Sequence, residues 1–139
     1  MKARVVQTKF WEDNFVIELT HKEKLAFLYF LTNPRVNLIG VYELPDRVIC
    51  FDLSLTESEL VGIKNTLISG NKIHFIDGFV MIRNSQKYNN FLKGSEVQRR
   101  AFCREMELLP KGVKEYLEDN KFELVLDWLA TSSKLDSNK

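Results

Sequence analysis

The side chains best suited to catalysis or metal binding are few in this sequence. Its 139 residues include two histidines, His21 and His74, and two cysteines, Cys50 and Cys103. None of them stands at a spacing typical of a zinc site, and there is no glycine-rich phosphate loop. A nucleophile–base pair of Cys103 and His21 has no local sequence signature. The sequence therefore predicts a protein that is not an enzyme and uses no cofactor or metal. We expect His21 to be exposed, His74 half exposed, and both thiols to be small buried apolar groups.

The charged residues offer a different chemistry, because they are unevenly distributed along a chain whose formal net charge is only +1. Residues 71–104 contain seven cationic and two acidic side chains, whereas residues 105–139 contain five cationic and eight acidic ones. A polyanion would therefore contact the middle third of the chain, and a protein that binds polyanions over its whole surface is excluded. The alternative is that these cations solvate a helix surface or pair with neighbouring carboxylates.

Two capping motifs and a hairpin signal define the elements that position these residues. Thr20 and Thr56 are each followed three residues later by a glutamate, a pattern that predicts helix starts. Asp77-Gly78 separates two runs rich in β-forming residues and predicts a β-hairpin. Other expected elements are a strand at residues 38–42, a short helix from Pro45 to about Phe51, and a later helix at residues 96–109 with Val97 on its apolar side. The aromatic residues expected in the core are Phe10, Trp11, Phe27, Tyr29, Phe30, Phe75 and Phe79.

The order of these elements favours an α+β fold of the winged helix-turn-helix type. The early strand can join the hairpin in a small antiparallel sheet, because an isolated hairpin is only marginally stable. In a winged helix the third helix, here residues 56–69, can enter the major groove of DNA while the hairpin reaches the backbone or minor groove. We expect a winged-helix domain at residues 1–94, a C-terminal helical extension at residues 95–131 and a flexible tail at residues 132–139.

Candidate contacts to double-stranded DNA follow from this arrangement. Asn65 has the side chain that pairs with an adenine edge, and Lys64 can reach a guanine or a phosphate. Glu57 and Glu59 lie at the end of the helix that normally enters the groove, where a stabilising role at the helix start suits them better than a DNA contact. The predicted DNA-binding residues are Ser58, Lys64, Asn65, Lys72, His74, Arg83, Lys87, Arg99, Arg100 and Arg104.

Several short stretches of residues 8–110 form a recognisable set. They include Lys9–Asp13, Glu23–Lys24, Leu31–Pro34, Gly40–Leu44, Gly70–Ile73, Ile82–Asn84 and Val97 through Glu105–Pro110. With these stretches the chain resembles the N-terminal winged-helix domain of phage replisome-organiser proteins. The resemblance implies a protein that binds phage origin DNA and recruits helicase-loading partners in replication initiation. That family usually continues into a longer C-terminal part, so a truncated chain and a short relative with a changed role both stay open.

The final predicted helix carries apolar residues on more than one face. It is either packed between layers of its own chain or in contact with another protein or a second copy of the chain. The residues predicted for this contact are Phe122, Val125, Trp128 and Leu129. Self-association into a homodimer is the favoured interpretation. This helix, the low net charge and the acidic start of the third helix support an alternative function. In that alternative the chain is a small phage interaction protein, a transcriptional regulator or an inhibitor of a host factor, that acts mainly through protein contacts.

The sequence has no sign of membrane insertion or secretion. No stretch approaches the ~20 consecutive apolar residues that span a bilayer, and Met1–Arg4 leads into no apolar core. Two cysteines are too few for a disulfide framework. We therefore expect no membrane contact and a reducing cytoplasm, that of the bacterial host if the protein is phage-encoded.

Overall fold

The computed structural model describes residues 3–83 and 95–137, with side chains up to residue 133. Within these residues the chain is an α+β structure with seven α-helices and one three-stranded antiparallel sheet. It forms two compact units that divide between Arg83 and Asn84. Residues 84–94 lie outside the described part of the chain. The domain boundary predicted after residue 94 falls at their end, and the predicted DNA-binding residue Lys87 lies among them.

The first unit contains four α-helices and the sheet. In chain order its elements are a 3-10 helix (Thr8–Glu12), α1 (Asn14–Ile17), α2 (His21–Thr32), β1 (Val41–Glu43), α3 (Asp46–Leu53), α4 (Glu57–Ser69), β2 (Ile73–Ile76) and β3 (Phe79–Ile82). The strand order is β1-β3-β2, and Val80 of β3 lies between Tyr42 of β1 and Phe75 of β2. This arrangement is compatible with the expected winged helix.

The starts of α2 and α4 depend on the threonine–glutamate pairs that the sequence indicated. At α4, Thr56 Oγ1 accepts a hydrogen bond from the N–H of Glu59, whose carboxylate accepts one from the N–H of Thr56. Thr20 and Glu23 make the same exchange at α2. Each exchange satisfies two N–H groups that the helix itself leaves without a partner. Both predicted helix starts are confirmed.

Asp77 and Gly78 form the two-residue turn of the predicted hairpin. Their φ angles are 50° and 80°, and positive values at both central positions are typical of the turn whose twist matches the strands on either side. The N–H of Leu44 donates to the carbonyl of Gly78 at 2.8 Å, which holds the turn against the end of β1. The hairpin is confirmed, but β1 is shorter than predicted because residues 37–40 form a turn that closes with Gly40 at φ 71°.

Tyr42 joins the sheet to the end of α2. Because Pro34 has no N–H, the carbonyl of Phe30 loses its partner in the helix. The Tyr42 hydroxyl donates to this carbonyl at 2.6 Å and accepts from Asn33 Nδ2 at 2.9 Å. All three of these residues are buried, so the two bonds satisfy polar groups that water does not reach.

The core of this unit forms where α2 and α4 cover one face of the sheet. Phe30 and Leu67 are fully buried there, and the Phe30 ring meets the Phe75 ring with 5.2 Å between centroids. The prediction of Trp11 as a core residue is wrong, because its side chain is 56% exposed. Adjacent residues of a 3-10 helix point about 120° apart, and only Phe10 points toward Phe27.

The second unit is helical in its described part. It contains α5 (Glu96–Glu107), α6 (Lys111–Asp119) and α7 (Glu123–Ser137). Val97 is exposed, contrary to prediction, since it lies about 140° around the helix from the buried Phe102. Helix α7 continues to Ser137 where a tail was expected from residue 132, because no glycine or proline follows Leu129 to end it.

We expect Tyr42→Phe to lower the free energy of unfolding by about 1–3 kcal/mol, because the Phe30 carbonyl and the Asn33 amide lose a partner inside the core. Urea unfolding followed by circular dichroism measures this change. Tyr29→Phe is the matched control, since its hydroxyl donates to an exposed carboxylate, that of Asp52. If Tyr42→Phe lowers the free energy of unfolding no more than the control does, the stabilising role of the Tyr42 hydroxyl is contradicted.

Candidate functional site

The side of α4 that points away from the sheet carries short, uncharged side chains. Its exposed residues are Ser58, Val61, Gly62, Asn65 and Ser69. The side chains of Ser58 and Asn65 make no hydrogen bond within the described part of the chain. Two hydrogen-bonding side chains, with the exposed Val61 between them, are therefore available to a ligand.

A cleft of about 520 Å³ runs between α4 and the hairpin. Val61, Lys64 and Asn65 lie on its helix side, and Phe75 and Asp77 lie on its hairpin side. The structure thus brings together Lys64, Asn65 and the hairpin turn, as the sequence predicted. We call this cleft the α4–hairpin groove.

Lys64 in this groove is already engaged by its own chain. Its Nζ lies 2.5 Å from Asp46 Oδ1 and 5.0 Å from the centre of the Phe75 ring, and its side chain is only 20% exposed. The carboxylate and the ring both compensate the positive charge of Lys64 locally. Lys64 is therefore less available to a phosphate than its sequence position suggests.

Glu59 and Lys22 form a second ion pair at the start of α4. The Lys22 ammonium, together with the N–H of Thr56, lowers the pKa of Glu59 to about 2. The stabilising role predicted for Glu59 is confirmed. Sequence reasoning missed Lys22 and Asp46 as partners, and no local signal could have found them, because each lies at least 18 residues from the residue it contacts.

Lys72 and Arg83 lie at the opposite end of the hairpin from its turn. The N–H of Arg83 donates to the carbonyl of Lys72 at 3.0 Å. Lys72 Nζ lies 3.4 Å from Asp13 Oδ2 and 5.6 Å from the centre of the Phe15 ring. The structure therefore does not gather the predicted cations of the first unit into one patch beside α4.

The pKa of Asp13 is lowered, which favours its charged form. Burial alone would raise its pKa, but the hydrogen bond from the N–H of Phe15 and the charge of Lys72 together lower it below the ordinary value. Lys72 is thus part of a local structural contact between the start of β2 and the start of α1.

His74 is buried, with only 6% of its surface exposed, so the expectation of a half-exposed histidine is wrong. Alternation along β2 places it on the same sheet face as Val41 and Met81, which are fully buried. Its Nε2 donates to Asn71 Oδ1 at 2.7 Å. Burial, and secondarily the charge of Arg83, lowers the pKa of His74. A buried neutral ring is not part of an exposed DNA-binding surface.

The cations predicted in the second unit lie on α5. Arg100 contacts Glu96 one turn earlier, with its Nη2 2.7 Å from Glu96 Oε1, and this contact lowers the pKa of Glu96. Arg104 is exposed and Arg99 is half buried. Pairing with a neighbouring carboxylate, the alternative raised by the sequence, thus holds for Arg100.

The predicted protein-contact residues near α7 differ in exposure. Phe122 is buried just before the helix, so its prediction as a contact residue is wrong. Val125 and Trp128 are half buried, and the ring of Trp128 lies 5.7 Å from Lys114 Nζ. Leu129 is exposed, as is Leu126, which the predicted contact set missed.

Within residues 3–83 and 95–137, no group of three His, Cys, Asp or Glu side chains is placed to hold a metal ion. No helix in the same residues is both long and apolar enough to span a membrane. Cys103 is buried and Cys50 is half buried.

Comparison of the chain with protein-family models, with curated proteins and with solved structures found no match. The resemblance to phage replisome-organiser proteins therefore stays a prediction based on the short stretches of sequence given above.

We expect the free energy of unfolding to fall as the pH is lowered from 7.5 to 5.5, by less than about 1.4 kcal/mol per pH unit. Because the pKa of His74 is lowered in the folded protein, the unfolded chain binds the proton first and gains stability from it. His74→Gln should flatten this dependence, as measured by urea unfolding at both pH values. His21→Gln, at an exposed site, is the control and should keep it. An unchanged slope in His74→Gln would contradict this assignment.

Proposed function

We propose that this protein is a non-catalytic, phage-type winged-helix protein that contacts duplex DNA through the exposed side of α4. The observation that carries the proposal is that Ser58 and Asn65 on α4, on either side of Val61, make no side-chain hydrogen bond to residues 3–83 or 95–133. The resemblance to phage replisome-organiser proteins supports replication initiation as the process, with helicase-loading proteins as further partners.

The topology supports a winged helix as the specific fold. Helices α2, α3 and α4 and the strand order β1-β3-β2 follow the element order of that fold. A short turn joins α3 to α4, with Ser54 in the left-handed conformation at φ 55°. In the proposed fold α4 is the second helix of a helix-turn-helix, the position from which such proteins read the major groove.

The chemistry of the exposed side suits base contacts better than phosphate contacts. Asn65 can form two hydrogen bonds to an adenine, Val61 can contact a thymine methyl group, and Ser58 can bond to several bases. These residues repeat every three or four positions, so they follow one side of the helix.

The ion pairs set the expected strength of this interaction. Residues 1–83 contain ten cationic and ten acidic side chains, and Lys64 and Lys72 are both held by carboxylates. Because each neutralised phosphate adds about one unit to the salt dependence, we expect a shallow slope of about 1 to 3 on a log–log plot. The proposed DNA contact is therefore modest in affinity and depends on bases more than on charge.

The test begins with selection of a duplex from a random library by the full chain, followed by fluorescence anisotropy at two salt concentrations. We expect Asn65→Ala to weaken binding of the selected duplex by about 5- to 100-fold, the loss of one good base contact. Asn14→Ala, a change of the same kind at an exposed residue of α1, should have no effect. Affinity no better than ~100 µM at low salt, or equal affinity for the wild type and Asn65→Ala, would remove DNA binding as the function.

A second candidate function is contact with another copy of the chain. The exposed Leu126 and Leu129 lie on α7, three residues apart and therefore on one side of the helix. If they form a dimer contact, Leu126→Ser with Leu129→Ser gives a monomer in sedimentation velocity where the wild type is a dimer. Leu108→Ser is the control, because Leu108 is also exposed but lies outside α7. A monomeric wild type at ~100 µM would exclude this candidate.

A further inference from the structure

We propose that the α4–hairpin groove binds a peptide segment of a partner protein in which a large apolar side chain stands next to a lysine or arginine. The proposal goes beyond the DNA contact, because it concerns the floor and the acidic rim of the groove, although Val61 and Asn65 belong to both surfaces. It depends on the apolar floor of the groove and on the charges at its rim.

The floor of the groove is apolar and is supported by the core. Leu44 is buried beneath it, and the half-buried Phe75 rests on the Phe30 ring. Val61, at the rim, keeps 58% of its surface exposed. The volume of about 520 Å³ lies within the range of about 300–1,000 Å³ that is typical of ligand sites. An occupant gains most by placing an apolar side chain on this floor.

Three ionisable side chains line the groove, and together they carry one negative charge. They are Asp46, Lys64 and Asp77. Lys64 is matched by Asp46, whose side chain is still 60% exposed. Asp77 is exposed in the hairpin turn and forms no ion pair within the described part of the chain. The carboxylates at the rim therefore attract a cation beside the apolar floor.

The same charges argue against a polyanion in the groove. A phosphate there would approach Asp77 directly and would find the Lys64 ammonium already bonded to Asp46. Like charges at close range oppose binding, whereas a lysine or arginine gains a charge-assisted hydrogen bond. Charge complementarity thus selects a basic partner.

An extended peptide fits the shape of the groove. Its rim residues Val61, Asn65, Asp77 and Gly78 are exposed, so the site is a cleft and not a closed cavity. The cleft is formed by one helix and one hairpin turn. An extended peptide can lie across it, with one side chain on the floor and the next at the rim. We therefore commit to a segment of a partner protein as the occupant.

The experiment is a selection of eight-residue peptides from a random displayed library by the full chain. The most enriched peptide is then synthesised with a fluorescent label and titrated by fluorescence anisotropy. We expect enriched sequences to contain Leu, Ile or Phe next to Lys or Arg. Asp77→Asn should weaken binding about 3- to 5-fold, since asparagine also accepts the left-handed conformation and keeps the turn. Val61→Ser should weaken binding about 10-fold through lost apolar contact.

The control variant is Glu18→Gln, which removes one exposed carboxylate at the end of α1 and should leave peptide affinity unchanged. The proposal would be overturned if acidic peptides were enriched or if no peptide were enriched. It would also be overturned if the wild type, Asp77→Asn and Val61→Ser bound the peptide with equal affinity. Binding of the selected DNA duplex serves as a separate readout, because Asp77→Asn should not weaken the affinity for that duplex. Failure of DNA binding is thus distinguishable from failure of peptide binding.

Discussion

The hydrogen bond from the Tyr42 hydroxyl to the carbonyl of Phe30 connects the sheet of the first unit to α2. Pro34 ends α2 and leaves that carbonyl without a helical partner, and β1 supplies one from the sheet. A sheet of three strands, each three or four residues long, is too small to be stable unless its face is covered. Once β1 is held against α2, the hairpin follows through its pairing with β1, and α4 completes the cover.

This constraint also decides which side of α4 is exposed. Leu60, Ile63 and Leu67 must cover the sheet, so the opposite side of the helix, with Ser58 and Asn65, faces solvent. The groove lies beside this side of α4, and its hairpin turn is fixed by the hydrogen bond from the N–H of Leu44 to the carbonyl of Gly78. The core therefore presents two neighbouring surfaces of different chemistry, one polar and uncharged, the other apolar with an acidic rim.

Electrostatic pairing separates the proposed roles of these two surfaces. Lys64 and Lys72 were candidates for phosphate contacts, but each has a carboxylate and an aromatic ring as partners. The two predicted cations are thus compensated locally, and the ten cationic side chains of residues 1–83 are matched by ten acidic ones. In the two proposals, duplex DNA and a basic peptide compete for Val61 and Asn65, which belong to both surfaces.

Sequence alone determined the parts of the structure that depend on near neighbours. The capping pairs Thr20–Glu23 and Thr56–Glu59 and the Asp77-Gly78 turn could be predicted because their hydrogen bonds and backbone angles are set within four residues. The burial of His74, the exposure of Trp11 and the pairing of Lys64 with Asp46 were decided by the tertiary structure. Each of these depends on which distant element covers a side chain or brings a charge beside it, and no spacing along the chain encodes that.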